Sequence, residues 1–197
     1  MDLGEFLGGV KTVDLLLVLY FGGFFVLGFA QGTIRRLIGI ASILFSFLFA
    51  ANLATPLGDF LADNWTDQSR QYSFMVGFMT VFVAAALAFA VVVQGFYKPQ
   101  PLFQRARFAD EILGGLLGLL QAAIILASII IILDTYYTLT GVAQGANELQ
   151  FLRDLFTLLN DSRIVAVFRM TLIPAFFILV GLFIPNSIKV LYPSAPS

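Results

Sequence analysis

One stretch limits this chain more than any other: residues 109–133, ADEILGGLLGLLQAAIILASIIIIL. It opens with two adjacent carboxylates, Asp110 and Glu111, and then runs apolar with one interruption at Gln121. Roughly 23 residues at 1.5 Å each give about 35 Å, enough to cross a hydrocarbon core of about 30 Å with some tilt. Asp110, Gly114, Gly118 and Ala122 recur every four residues and so form one stripe on the helix. Small residues on such a stripe let another backbone approach closely, which is how helices associate in lipid without a hydrophobic drive. The stretch predicts a single membrane domain, residues 1–197. Its fold class is an all-α transmembrane bundle of four or five spans plus two interfacial amphipathic helices.

Composition points the same way. Hydrophobic residues make up 59% of the chain and charged residues 12%, where soluble proteins average about 45–50% and 25%. Such a chain lacks the polar surface to cover a soluble globule, so the apolar excess belongs in a bilayer. The net charge of −1 provides no basic field for nucleic acid. Cysteine and histidine are both absent, which removes disulfides, thiol chemistry, thiolate and imidazole metal sites, and histidine-based triads. With no nucleophile–base pair or metal cluster to assemble, the chain reads as non-enzymatic, without cofactor or metal. Its expected partners are membrane lipids and other membrane proteins, a second copy of itself included.

The spans follow in order. Residues 1–12 are mildly acidic with Lys11 as the only cation, unlike the basic start of a secretory signal. Gly28-Phe29-Ala30 resembles a small-x-small cleavage site, yet residues 13–30 are expected to be retained as the first span, with Gly28 and Gly32 among its packing positions. The polar turn Gln31-Gly32-Thr33-Ile34-Arg35-Arg36 leads into a second span, 37–54. In residues 55–71, Leu57, Phe60, Leu61 and Trp65 fall at helical spacing, which predicts an interfacial helix anchored by Trp65. A third span covers 73–97, and prolines at 99 and 101 stop it. The fourth span is 111–133. Within 135–160, Leu152, Leu155, Phe156 and Leu159 follow an i, i+3, i+4, i+7 pattern, the mark of a second surface-lying helix. Asp161 or Ser162 is placed to cap the next helix. Residues 164–184 carry Arg169 and Pro174 and form either a fifth, kinked crossing or a re-entrant segment; the crossing is the expectation.

Lysines and arginines concentrate at two turns: Arg35 and Arg36 after the first span, Lys98, Arg105 and Arg107 after the third. The positive-inside rule then places loops 31–36 and 98–109 in the cytoplasm and the N-terminus outside. Arg36, Arg105, Arg107 and Trp65 are the candidate contacts for lipid or partner. Asp110 and Glu111 suit the positive end of a helix dipole, holding that end at the interface, and this reading is preferred to a proton-relay site. Asp14 and Lys11 mark a water boundary. Arg169 lies about 8 Å along its span, shallow enough for its charge to snorkel outward. Pairing with Asp134 or Asp161 is the alternative, and would make it a candidate functional intramembrane charge.

Three short patterns, in this order and spacing, resemble the colicin V production protein (CvpA) family of bacterial membrane proteins. They are Val13-Asp14-Leu15-Leu16-Leu17 at the first span, Gly32-Thr33-Ile34-Arg35 at the first turn, and Asp110-x-x-x-Gly114-x-x-x-Gly118, extended by Ala122. The resemblance covers residues 13–133 and fades after Thr135. Two positions depart from the family pattern: Gln31 stands for a basic residue and Arg36 for a glutamate. The resemblance implies a bacterial inner-membrane protein linked to toxin export or production and envelope stress, with Asp14, Arg35 and Asp110 as its polar motif residues. The favoured function is an accessory or scaffold subunit; the competing one is a small oligomeric channel or transporter.

Overall fold

Gly32 divides the first two helices. A computed structural model describes residues 11–65, 69–96, 107–138, 148–181 and 188, and among these Gly32 alone has a positive φ, 77°. Its N–H reaches back to the Gly28 carbonyl at 3.0 Å, so the chain ends α1 (Thr12–Gln31) and starts α2 (Thr33–Asn64) in a single step. A side chain at Gly32 would be strained in this left-handed conformation.

Two further long helices follow, α3 (Arg70–Phe96) and α4 (Arg107–Tyr137). All four are long and apolar enough to cross a membrane. They contain the first, second and fourth spans of the sequence reading whole and all but the last residue of the third, and the second helix runs ten residues past its expected end. The chain then continues as α5 (Gln150–Asn160), α6 (Arg163–Val167), a π-helical turn (Phe168–Leu172) and α7 (Ile173–Val180).

α4 is the centre of the bundle. Of its apolar window 56% is buried inside the protein, against 17% for α1, 33% for α2 and 17% for α3. α1 runs antiparallel along it and α2 parallel to it. The α1–α4 seam joins backbone to backbone: a Cβ added at Gly118 would stand 2.2 Å from the Phe24 carbonyl oxygen, and one at Gly28 would stand 2.2 Å from the Gly114 carbonyl oxygen. One turn further on, the Tyr20 hydroxyl donates to the Ala122 carbonyl at 3.1 Å.

A second seam joins α2 to α3. Ala50, Ala54 and Gly58 recur every four residues, and both alanines are fully buried. A Cβ at Gly58 would approach Phe74 Cα to 2.7 Å. The alanine-rich run 84–88 on α3 plays no such part: Ala84 and Ala88 are exposed on the surface of the bundle. Phe47 fills the centre of the α2–α3 face, packed edge-on against Phe82 and Phe176.

One expectation needs correction. Residues 55–64 are not a separate interfacial helix but the far end of α2, which carries Pro56 inside it. At 32 residues the helix is about 48 Å long, longer than a hydrocarbon core of about 30 Å. Its last turns therefore reach the interfacial level while staying packed on α3 through Gly58, and Trp65 caps the end, 43% exposed. An ion pair from Arg70 to Asp59, 2.6 Å, ties that end to the start of α3.

The region 163–180 is helical throughout but not uniform. The Ile173 N–H bonds to the Phe168 carbonyl, a five-residue step. Pro174 follows at once; with no N–H and a ring that crowds the carbonyl four residues back, it favours a widened turn. Ile173, Phe176 and Phe177 are buried against the bundle. This run is not among the four helices that meet the length and apolarity needed for a crossing, and 182–187 lie outside the described residues. The surface helix predicted within 135–160 is α5, whose Leu152, Leu155, Phe156 and Leu159 face the core as their spacing indicated. Ser162 provides the expected cap, accepting from the Val165 N–H at 3.1 Å.

Candidate functional site

Polar side chains gather at the two ends of the bundle. At the end carrying the Gln31–Thr33 turn, α2 presents Arg35 and Arg36 within its first turn, where its register turns Arg36 inward. Arg36 is 5% exposed. Its Nη1 donates to Gln121 Oε1 at 2.8 Å, and its guanidinium lies 5.7 Å from the Phe24 ring centroid. Among the described residues its buried Nε has no hydrogen-bond partner, and no carboxylate there forms an ion pair with the guanidinium. The group opens into a cleft of about 260 Å³ between α1, α2, α3 and α4, with Gln31, Arg35 and Ser42 also on its wall.

Beside the cleft, Asp110 lies under the turn. The Thr33 hydroxyl donates to the Asp110 carbonyl at 3.0 Å, and a Cβ at Gly32 would stand 2.6 Å from Asp110 Oδ2. Asp110 is in the first turn of α4, as the dipole argument requires. It is, however, 4% exposed, so it does not hold the helix end at the water interface. Closing of the Gly32 turn over it buries it. Glu111, one residue on, takes an exposed ion pair with Arg107, 3.0 Å.

At the opposite end, Arg169 Nη2 and Nε donate to the two oxygens of Asp134 at 2.8 and 3.2 Å, and Nη1 donates to Asn160 Oδ1 at 2.7 Å. The Asp134 side chain is 3% exposed and that of Arg169 24%. This overturns the snorkelling expectation. The π turn and the Ser162-capped start of α6 direct the arginine across α4, not outward. Asp14 is likewise no boundary marker: it is buried, and it accepts from the Ser162 hydroxyl at 2.5 Å. A third cluster, Arg153–Glu148 at 2.5 Å with Tyr136 donating to Glu148 at 2.7 Å, pins the start of α5.

A family model described as Colicin V production protein matches residues 13–172, most of the chain. The chain belongs to the Colicin V production family. Neither a curated protein nor a solved structure matches it. The family match runs well beyond Leu133, where the sequence resemblance was expected to fade, and takes in Ser162 and Arg169. Both residues close onto the early motif helices, Ser162 onto Asp14 and Arg169 onto the end of α4.

In this Colicin V production family member, the structure brings Arg35, Arg36 and Asp110 to one end and separates them from Asp14 and Arg169 at the other. Gly28, Gly32, Gly114, Gly118 and Ala122 form the seam that links the two ends. Trp65 is exposed beyond the seam, Arg107 is exposed at the start of α4, and Arg105 lies outside the described residues. Among the described residues no carboxylate cluster is placed to hold a metal ion. Sequence reasoning missed the pairing of Arg36 with Gln121. Its signal was the single amide in an otherwise apolar run, since an amide in lipid seeks a polar partner on a neighbouring helix.

Proposed function

We propose that this protein is a non-enzymatic subunit of the bacterial inner membrane that works by binding other membrane proteins or lipids, in the colicin V production role its family name indicates. The α1–α4 seam carries this reading. Two helices in backbone contact at Gly28, Gly114 and Gly118 leave no room between them for a solute path, while the polar cleft at one end is open to a ligand. That combination suits a rigid binding platform.

A second reading is transport by an oligomer. The buried Arg169–Asp134 pair beside a π turn favours it, because intramembrane charges and π-bulges gather at functional sites. Tagged protein extracted in native membrane patches separates the two by mass spectrometry. A different membrane protein recovered in constant ratio is the expected result. Recovery of this chain alone, as a symmetric oligomer that passes ions in proteoliposomes, would replace the platform with a channel.

The same proposal includes orientation: N-terminus outside, with loops 31–36 and 98–109 in the cytoplasm, from the arginines at the Gln31–Thr33 end. The chain has no cysteine of its own, so single cysteines report cleanly. Arg107→Cys and Asp161→Cys are both at exposed positions, at opposite ends of the bundle. In intact cells made permeable only in the outer membrane, an impermeant thiol reagent should label the second and spare the first. The reverse pattern would invert the topology.

A further inference from the structure

We infer that the cleft at the Gln31–Thr33 end holds one anionic phospholipid, its phosphate on Arg36 and Arg35 and an acyl chain against α3. The proposal rests on the binding reading above and specifies its ligand.

Arg36 is the starting point. A guanidinium that is 5% exposed and, among the described residues, hydrogen-bonded only to a neutral amide leaves a positive charge uncompensated in a low-dielectric setting, which is costly without an anion. Its buried Nε has no hydrogen-bond partner among the described residues, so the protein leaves the guanidinium partly unsatisfied, and a planar guanidinium matches phosphate geometry. Arg35, on the same wall, adds a second positive charge.

The rest of the cleft indicates that the phosphate is carried by a lipid. Its lining passes from Gln31 and Arg35 at the turn to Ile43 and Ala86, deeper along α2 and α3. From Arg36 to Ile43 is about 10 Å along the helix, so the polar mouth leads directly into hydrocarbon depth. Ala86 and Ala90 leave the α3 wall open, and Ala90 is exposed. A basic pocket between membrane helices with an apolar floor has the amphipathic shape of a headgroup with its chain. A free phosphate would use only the mouth.

Delipidated full-length protein in detergent, followed by native mass spectrometry, tests this. The probes are phosphatidylglycerol, phosphatidylcholine with the same acyl chains, and inorganic phosphate. One phosphatidylglycerol should bind, about tenfold more tightly than phosphatidylcholine, whose phosphate carries a choline cation that Arg35 and Arg36 repel. Arg36→Gln should remove that preference. Ala90→Phe, which fills the cleft from its exposed wall, should also remove it at an unchanged melting temperature, and it decides the matter if the Arg36 variant does not fold. Equal binding of the two lipids, or a preference that survives Ala90→Phe, overturns the proposal. Inorganic phosphate displacing the lipid at equal concentration overturns it too, and reassigns the mouth to soluble phosphate. Equal binding of the two lipids with a protein partner still captured would sink this inference and leave the platform reading standing; a lipid preference in a chain recovered alone as an ion-passing oligomer would sink the platform reading and leave the lipid site.

Discussion

Gly118→Leu is expected to be the most damaging single substitution in this protein. A Cβ at that position would stand 2.2 Å from the Phe24 carbonyl oxygen and 3.3 Å from Gly28 Cα. The obstruction is backbone, so no rotamer change relieves it; α1 and α4 must move apart along their whole seam. Overpacking usually costs about 1–3 kcal/mol, and a clash that only helix separation can relieve belongs at or above the top of that range. Separation also exposes Arg36 and Asp110, whose burial depends on the same seam, so the loss propagates to the cleft. Gly28→Leu, facing the Gly114 carbonyl oxygen at 2.2 Å, should behave alike. Gly22 is the control, because nothing lies within 4 Å of its added Cβ. Gly22→Ala should be neutral or should stabilise by up to about 1 kcal/mol. Melting in detergent and yield in membranes measure all three. A Gly118→Leu protein that melts like wild type would mean that this stripe faces lipid, not α1.

Arg169→Leu should be nearly as severe, by a different route. It leaves the Asp134 carboxylate, 3% exposed, without its two guanidinium bonds. Removing one partner of a buried pair typically costs about 3–5 kcal/mol, because the remaining charge stays desolvated. Asn160 loses its donor as well. Arg169→Lys keeps the charge but gives up the planar fork that reaches Asp134 with two nitrogens and Asn160 with the third. The expected order of stability is therefore wild type, then Lys, then Leu. Adding Asp134→Leu to Arg169→Leu should restore most of the loss, since a pair replaced by apolar groups leaves no stranded charge. The single Leu variant melting with wild type would show that the arginine reaches water after all. A double variant no better than the single one would place the cost in packing against Phe156, whose ring lies 5.8 Å from the guanidinium.

Both predictions begin from features visible in the chain, but the sequence named no partner helix for the stripe and offered Asp134 only as an alternative for Arg169. The four-residue recurrence from Asp110 to Ala122 identifies a packing stripe because helix periodicity is a local property: residues four apart share a face whatever surrounds them. For the same reason the apolar runs marked four spans, and the leucines of α5 marked its buried side. The continuous α2 was not legible, because Pro56 is a stop signal by local rules. In the bundle, α2 continues through it and packs on α3 at Gly58.

Charge placement was the least legible part. Arg169 and Asp14 each lie near a span end, where snorkelling or a water boundary is the inexpensive choice for an isolated helix. Burial becomes favourable only when a partner is already positioned across a gap of 35 or 148 residues. Arg36 shows the same limit. Its sequence neighbours suggest a basic topology signal, and only the register of α2 against Gln121 on α4 turns the side chain inward. Sequence alone determined four apolar spans and the face by which α4 packs, because those follow from composition and period. Tertiary structure decided which charges are buried and paired, because a low-dielectric pairing depends on distances that no local pattern encodes.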